Sequence, residues 1–362
     1  MPLQESPLSQ AHDDDGANYT EVAGWRVPME FDSIRTEHHA VRTAVGRFDV
    51  SHLGKLRVGG VDATTLVNRL VTNDVAALSP GQAQYACVLT DDGYLLDDVV
   101  VYALPTDEAA FLVVHNARHD DALFERARTL RDERDLDATC EDVTGALAGI
   151  AVQGPDAVDA VERALDAAVA DLDSFEARYA DVDGTELLVS RTGYTGEDGF
   201  ELFPPREAAA AVWSAVECQP CGLGARETLR FEAGFVRSGV DFDRERFPRT
   251  PSEADLDHVV DRDTDFLGKA ALEELSVRTR RVGIVVEGRG VPKTGDAIRN
   301  DGSKIGVVTS GILSPSLNES LGSGYVPEAF AHPGTRVSVD IRDRSVDGRI
   351  RDVRFLERPT AR

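Results

Sequence analysis

The chain has 362 residues, 42% of them hydrophobic, and a formal net charge of −25. Its length exceeds one ordinary domain, so two or three are expected. The acidic balance argues against a nucleic-acid binder, which needs a basic footprint, and no stretch approaches the ~18 consecutive apolar residues of a membrane span.

Residues 1–16 are polar, lack the basic-then-apolar pattern of a secretory leader, and read as a loose lead-in. A helix over 33–45 follows, capped by Asp32 or Ser33, with Ile34, Val41 and Val45 at helical spacing. Residues 55–58 form a short strand and 62–70 a helix with Asp62 as its cap. Strands over 85–89 and 95–102 make a hairpin across Asp91-Asp92-Gly93, where Asp bonds its own backbone and Gly accepts positive φ. A strand over 110–114 and a charged amphipathic helix over 120–134 complete a small α+β unit. Next come a strand over 148–152, an Ala-rich helix over 156–170, and a hairpin over 179–190 turning at Asp183-Gly184. Helices follow over 207–217 and 225–234, and a short one starts near Asp265. Short β runs then recur at 282–286, 305–309 and 337–341, with Asn300-Asp301-Gly302 as a turn. They predict an all-β barrel or sandwich beyond a boundary near 275–280.

Two adjacent carboxylates, Asp97 and Asp98, stand in the apolar strand 94–102. Neighbours on a strand point to opposite faces, so one can face water while the other faces the interior or a cleft. An inward Asp among Leu, Val and Tyr is costly unless something pairs with it, which makes the pair a site candidate. The pattern does not choose between the two. Residues 191–201, R-T-G-Y-T-G-E-D-G-F-E, place three glycines around a Tyr and several carboxylates, so backbone can approach a ligand closely. The segment is neither a dinucleotide fingerprint nor a phosphate loop, and it reads equally as a ligand loop or a plain hairpin loop. Arg226, at a helix start, runs against the helix dipole and suits an anionic ligand or a surface salt bridge.

The histidines show no metal-binding spacing, and His52 reads as a site residue or, more commonly, a buried hydrogen-bonding His. Cys218-Gln-Pro-Cys221 has no second pair for a structural zinc site, so ordinary reduced cysteines are expected and no metal. Lysine occurs only at Lys55, Lys269, Lys293 and Lys304. With so much Asp and Glu, this favours a surface adapted to high salt, where self-repulsion is screened, over a merely acidic cytosolic protein.

Many ordered stretches resemble the aminomethyltransferase family, whose type member is the T-protein of the glycine cleavage system. They are Ala23-Gly24-Trp25, residues 48–54, Thr72-Asn73-Asp74, residues 93–102, Gln153-Gly154-Pro155, residues 190–202, 222–229, 265–272 and 306–311, and Ser314-Pro315. The resemblance implies an α+β fold of three domains in a ring around a central tetrahydrofolate channel. Residues 1–54 and 140–275 would form a discontinuous α+β folate-binding domain. Residues 55–139 would be an inserted α+β domain carrying Asp98, and 280–362 a C-terminal β-barrel. It implies a cytoplasmic enzyme that takes an aminomethyl group from the lipoyl arm of a carrier protein. The folate ring nitrogen attacks the methylene carbon, and ammonia leaves. The family's critical carboxylate falls on Asp98, which orients the folate; Tyr85, Tyr194, Glu201 and Arg226 match folate-binding positions. Glu201 would take the pterin edge, a Tyr the flat ring, and Arg226 a carboxylate of the folate tail. Strand alternation then turns Asp97 away from that ligand.

There are departures. His115-Asn116-Ala117-Arg118 stands where the family has Asn directly after Val-Val, Leu53 replaces a Met, and residues 235–241 differ from a segment that usually carries Tyr-Gly and a further acid. These put the donor in question and leave two alternatives. One is a tetrahydrofolate-dependent demethylase of another small methyl donor. The other is a non-catalytic folate-binding protein, which the missing Cys motif and the intact Asp98 disfavour.

Overall fold

The computed structural model describes residues 3–106, 110–165, 167–342 and 344–356. The fold is α+β and ends in a closed barrel. The chain opens with β1 (Gln4–Glu5), α1 (Ser9–Asp14), β2 (Asn18–Val22) and β3 (Trp25–Glu30), which form a small three-stranded sheet with one helix. The expected loose lead-in is therefore incorrect for the described residues. Leu8 and His12 are fully buried, His12 sits edge-on to Phe31 and Trp213, and the Ser6 hydroxyl donates to Asp49 at 2.5 Å. Contacts made about 20 to 200 residues downstream hold this segment, and local polarity carries no trace of them.

Then come α2 (Ile34–Thr43), β4 (Gly46–Asp49), β5 (Gly54–Gly59), α3 (Ala63–Leu70), β6 (Ala83–Leu89), β7 (Leu95–Ala103), β8 (Ala110–His115), α4 (Asp120–Glu133) and β9 (Thr139–Asp142). Ser33 caps α2 by accepting from the Thr36 N–H. Asp62 makes no such cap; its carboxylate takes the Asp137 N–H instead. β5 to β9 form a five-stranded sheet in the order β6-β7-β8-β5-β9. One face of it buries Ala86, Val88, Val99 and Val101 against α3 and α4, with Leu66, Val67 and Leu123 in the same core.

The next stretch holds β10 (Ile150–Gln153), α5 (Ala157–Ala164), β11 (Ala177–Val182), β12 (Thr185–Ser190), β13 (Gly199–Phe203), α6 (Ala209–Ala215), β14 (Gln219–Cys221), α7 (Leu223–Ala233) and α8 (Lys269–Glu274). With β4, these strands make a six-stranded sheet in the order β11-β12-β13-β10-β4-β14. The Ala-rich helix expected to residue 170 stops at Ala164. The Glu162 carboxylate draws in the Val169 and Ala170 N–H groups, and Val169 and Leu172 are buried in the core; tertiary packing overrides helix propensity here. Among the described residues, no helix is long and apolar enough to cross a membrane.

The barrel comprises β15 (Arg280–Val286), β16 (Ala297–Asn300), β17 (Ser303–Leu313), β18 (Ser320–Val326), β19 (Arg336–Ile341) and β20 (Arg344–Arg351). Closure removes every free strand edge. Its seam with α7 is polar and buried. Asp241 accepts from Arg230 at 2.7 Å and from the Thr309 and Ser310 hydroxyls at 2.8 Å. Glu232 accepts from Arg42 at 3.0 Å and from Ser314 at 2.5 Å.

Candidate functional site

A cavity of about 890 Å³ opens where the five-stranded sheet, the 192–196 loop, α7, the 254–259 segment and Arg354 and Leu356 meet. Asp98, Tyr85, Tyr194, Glu201 and Arg226 all line it.

Asp98 is paired with Cys87 across β6, and Asp97 with Val88, so the two carboxylates lie on opposite faces of the sheet. Asp98 faces the cavity; Asp97 does not line it. Strand alternation allows one of them to face water, but both are buried: Asp97 is 0% and Asp98 9% exposed. The reason is that α3 and α4 cover the reverse face, so alternation carries Asp97 into a second core. Asp98 Oδ2 accepts from the Tyr85 hydroxyl at 2.8 Å, and Oδ1 from the Asn116 amide at 3.1 Å. Burial pushes Asp98 up to about 6, while these two donors pull the other way. Burial, and then the Asp98 charge, hold Asp97 well above the usual carboxylate range.

Glu201 is set on β13 by two hydroxyls, Tyr102 at 3.0 Å and Thr192 at 2.7 Å. Both bonds fall on Oε2, which leaves Oε1 for a ligand. The loop before β13 rests on Gln153, whose amide donates to the Thr192 carbonyl at 3.0 Å and accepts from the Thr195 hydroxyl at 2.8 Å. A Cβ on Gly193 or Gly199 would overlap that amide, so two of the loop's glycines are there for close approach. Tyr194 stacks on Phe235 with centroids 5.4 Å apart and donates to the Val236 carbonyl. Arg226 lies 4.4 Å above the Tyr194 ring and has no hydrogen-bond or ion-pair partner among the described residues. Burial lowers its pKa, a cost that an anionic or electron-rich ligand would offset.

His52 is buried outside the cavity lining, and burial, followed by the Arg226 charge, pushes it down to about 3. The four cysteines are free thiols. Sequence reasoning missed Asn116, Tyr102 and Thr192. The signal for Asn116 was in the Val-Val-His-Asn-Ala segment, where one extra residue hides an Asn that still reaches the carboxylates. In the 235–241 segment, Asp241 serves the barrel seam, while Phe235 and Val236 line the cavity.

Two family models match the chain: the GCVT N-terminal domain over residues 8–264, and the glycine cleavage T-protein C-terminal barrel domain over residues 279–356. A probable aminomethyltransferase of Natronomonas pharaonis is 49% identical over 360 residues, which is 99% of this chain and 100% of that protein. The aminomethyltransferase of Cutibacterium acnes is 37% identical over 374 residues, 98% of this chain and 99% of its own. The crystal structure of glycine cleavage system aminomethyltransferase T from Bartonella henselae superposes with a TM-score of 0.90 at 30% identity, covering 98% of this chain and 99% of that one. Relatives at 47% and 49% identity come from halophilic archaea, in keeping with the acidic, lysine-poor composition. These matches favour the transferase over the demethylase and the non-catalytic folate binder.

Proposed function

The chain belongs to the glycine cleavage T-protein family and is an aminomethyltransferase, and on that premise we propose that its cavity binds tetrahydrofolate with Asp98 at the reacting nitrogen. The observation that carries this reading is a convergence in one cavity. The Asp98 carboxylate, held by Tyr85 and Asn116, shares it with an aromatic wall of Tyr194 and Phe235 and, among the described residues, with a Glu201 oxygen that has no protein donor and an Arg226 that has no hydrogen-bond or ion-pair partner. Bound there, tetrahydrofolate would supply the nitrogen that accepts the one-carbon unit.

Each side chain has a task in this reading. Glu201 Oε1 accepts N–H bonds from the pterin edge. Tyr194 gives the flat ring a face to lie against. Arg226 takes a carboxylate of the folate tail. Asp98 accepts a hydrogen bond from the folate and so aligns the nitrogen for attack, a proximity effect rather than covalent catalysis. The aminomethyl donor arrives on the lipoyl arm of a carrier protein in the cytoplasm. The six-stranded sheet unit, the inserted five-stranded unit and the barrel are three domains in a ring about this cavity, with the insertion running from residue 55 to residue 139.

The test is formation of methylenetetrahydrofolate from an aminomethylated carrier protein, with folate binding followed by calorimetry. Asp98→Asn should lose most turnover and still bind folate. Unchanged turnover would remove Asp98 from the mechanism, and tight folate binding by a wild-type protein with no transfer activity would overturn the reading as a whole.

A further inference from the structure

We propose that Asp97 is a positioning residue for the transfer: from the reverse face of β7 it clamps the Asn116 amide, and through that amide it fixes the Asp98 carboxylate in the cavity. The inference rests on the role proposed above for Asp98.

The geometry begins with the end of a strand. β8 stops at His115, and its register with β7, in which Val100 pairs with Val114, brings Asn116 level with Asp98. Asn116 spends its donors on side chains there. Its backbone N–H donates to Asp97 Oδ2 at 3.1 Å, and its Nδ2 to Asp97 Oδ1 at 2.8 Å. One residue thus occupies both oxygens of one carboxyl, and the plane of the Asn116 amide is set. The second hydrogen on Nδ2 is then directed at Asp98, with Nδ2 3.1 Å from Oδ1 and 3.2 Å from the carbonyl oxygen of that residue. A flipped amide would turn its own oxygen toward three acceptors, so the network admits one orientation. Tyr85 meets the other Asp98 oxygen at 2.8 Å. The Asp98 carboxylate is pinned from two sides.

Asp97 has no packing reason to be a carboxyl. It is fully buried on the face that holds Ala86, Val88 and Val99, where an apolar side chain would cost nothing in desolvation. What it supplies is the pair of acceptors that orient Asn116. The other titratable and charged groups facing Asp98 are Tyr85 and Cys87 from β6, Tyr194 from the glycine loop, and Arg226 from α7. Of these, Tyr85 donates a side-chain hydrogen bond to its carboxylate, as does the uncharged Asn116.

The experiment compares Asp97→Asn, Asn116→Ala, the double variant and Asp98→Asn. Asp97→Asn replaces one of the two oxygens to which Asn116 donates with an NH2 group, which cannot accept. It should lower kcat roughly tenfold or more while the folate Kd stays within about threefold, a loss confined to the transition state. The acid limb of kcat should move above its wild-type position, because Asp98 loses a donor that favours its charged form. Asn116→Ala should show the same limb shift, and the double variant should be no worse than Asn116→Ala, since the two act along one path. A merely structural Asp97 would lower the unfolding midpoint and leave the acid limb in place. An unmoved limb in Asp97→Asn, or losses that multiply in the double variant, overturns the inference. If Asp97→Asn does not fold, Asn116→Ala carries the test, and an unshifted limb there overturns it equally. Asp98→Asn separates the levels: if it keeps turnover, the reading of Asp98 fails; if it loses turnover while the other variants behave as wild type, only the role of Asp97 fails.

Discussion

Glu232→Gln tests how the barrel is fastened to the rest of the molecule. Glu232 is fully buried on α7 and accepts from Arg42 at 3.0 Å, Ser314 at 2.5 Å, the Ser316 N–H at 3.1 Å and its hydroxyl at 2.8 Å, with His38 at 3.3 Å. Burial works against its charge, but His38, Ser314 and Arg42 bring it from 4.5 down to about 2. At ~1.36 kcal/mol for each tenfold change in proton affinity, this depression is worth roughly 3 kcal/mol, in the range of the ~3–5 kcal/mol expected when one partner of a buried ion pair is removed. The sign follows from the depressed pKa: the contribution is complete above about pH 4.5 and is lost as pH falls through about 2. Gln keeps the size of the side chain, so no cavity confounds the comparison. Urea unfolding at pH 7 should show a lower midpoint for the variant, by about 3 kcal/mol after multiplication by the common slope. The gap should close near pH 2 and survive in ~1 M KCl, because salt screens buried pairs much less than exposed ones. A difference under ~1 kcal/mol at pH 7, a gap that persists at pH 2, or one that salt removes would refute the argument.

Two further outcomes are expected. Gly93 has a φ of +82°, and a Cβ there would lie 2.5 Å from the Leu272 backbone nitrogen on α8, so Gly93→Ala should lower stability by about 1–3 kcal/mol; an unchanged thermal midpoint would show that the contact yields. Asp98→Asn should raise the unfolding midpoint at pH 7.5 even as it removes activity. Burial lifts the Asp98 carboxyl from 3.8 to about 6, so its ionised form costs about 3 kcal/mol above that pH and progressively less toward 3.8. Differential scanning calorimetry at pH 7.5 and pH 5 should show the gain shrinking with acid, and a gain that grows instead would refute it.

What was legible in the sequence was what local chemistry decides. The turn at Asp91-Asp92-Gly93 announced the β6–β7 hairpin because Gly93 supplies the positive φ that the turn needs. Ser33 marked the start of α2 because capping acts over three residues. The opposite orientation of Asp97 and Asp98 followed from the period of a strand. Contacts distant in sequence were not legible. His12 gives no sign that Trp213 and Phe31 will enclose it, and the alanines after residue 164 give no sign that Val169 and Leu172 are drawn into a core. In the site, family resemblance pointed to Asp98 and the four residues around it. Asn116 escaped because a one-residue shift in a motif looks like divergence, whereas the end of β8 makes it the natural plug for the open edge of β7.

Arg354 and Leu356 line the same cavity as Asn73 and Asp98. Phe355 stacks on Phe231 with centroids 5.5 Å apart, and its N–H and that of Leu356 donate to the Glu232 carbonyl on α7. During synthesis on a ribosome, the pocket wall therefore lacks its last side chains until residue 356 has left the exit tunnel. A nascent chain whose first sheets have already formed still has an unfinished ligand site, and a product cut short within β20 would carry Asp98 without Arg354 and Leu356 in the lining of its cavity.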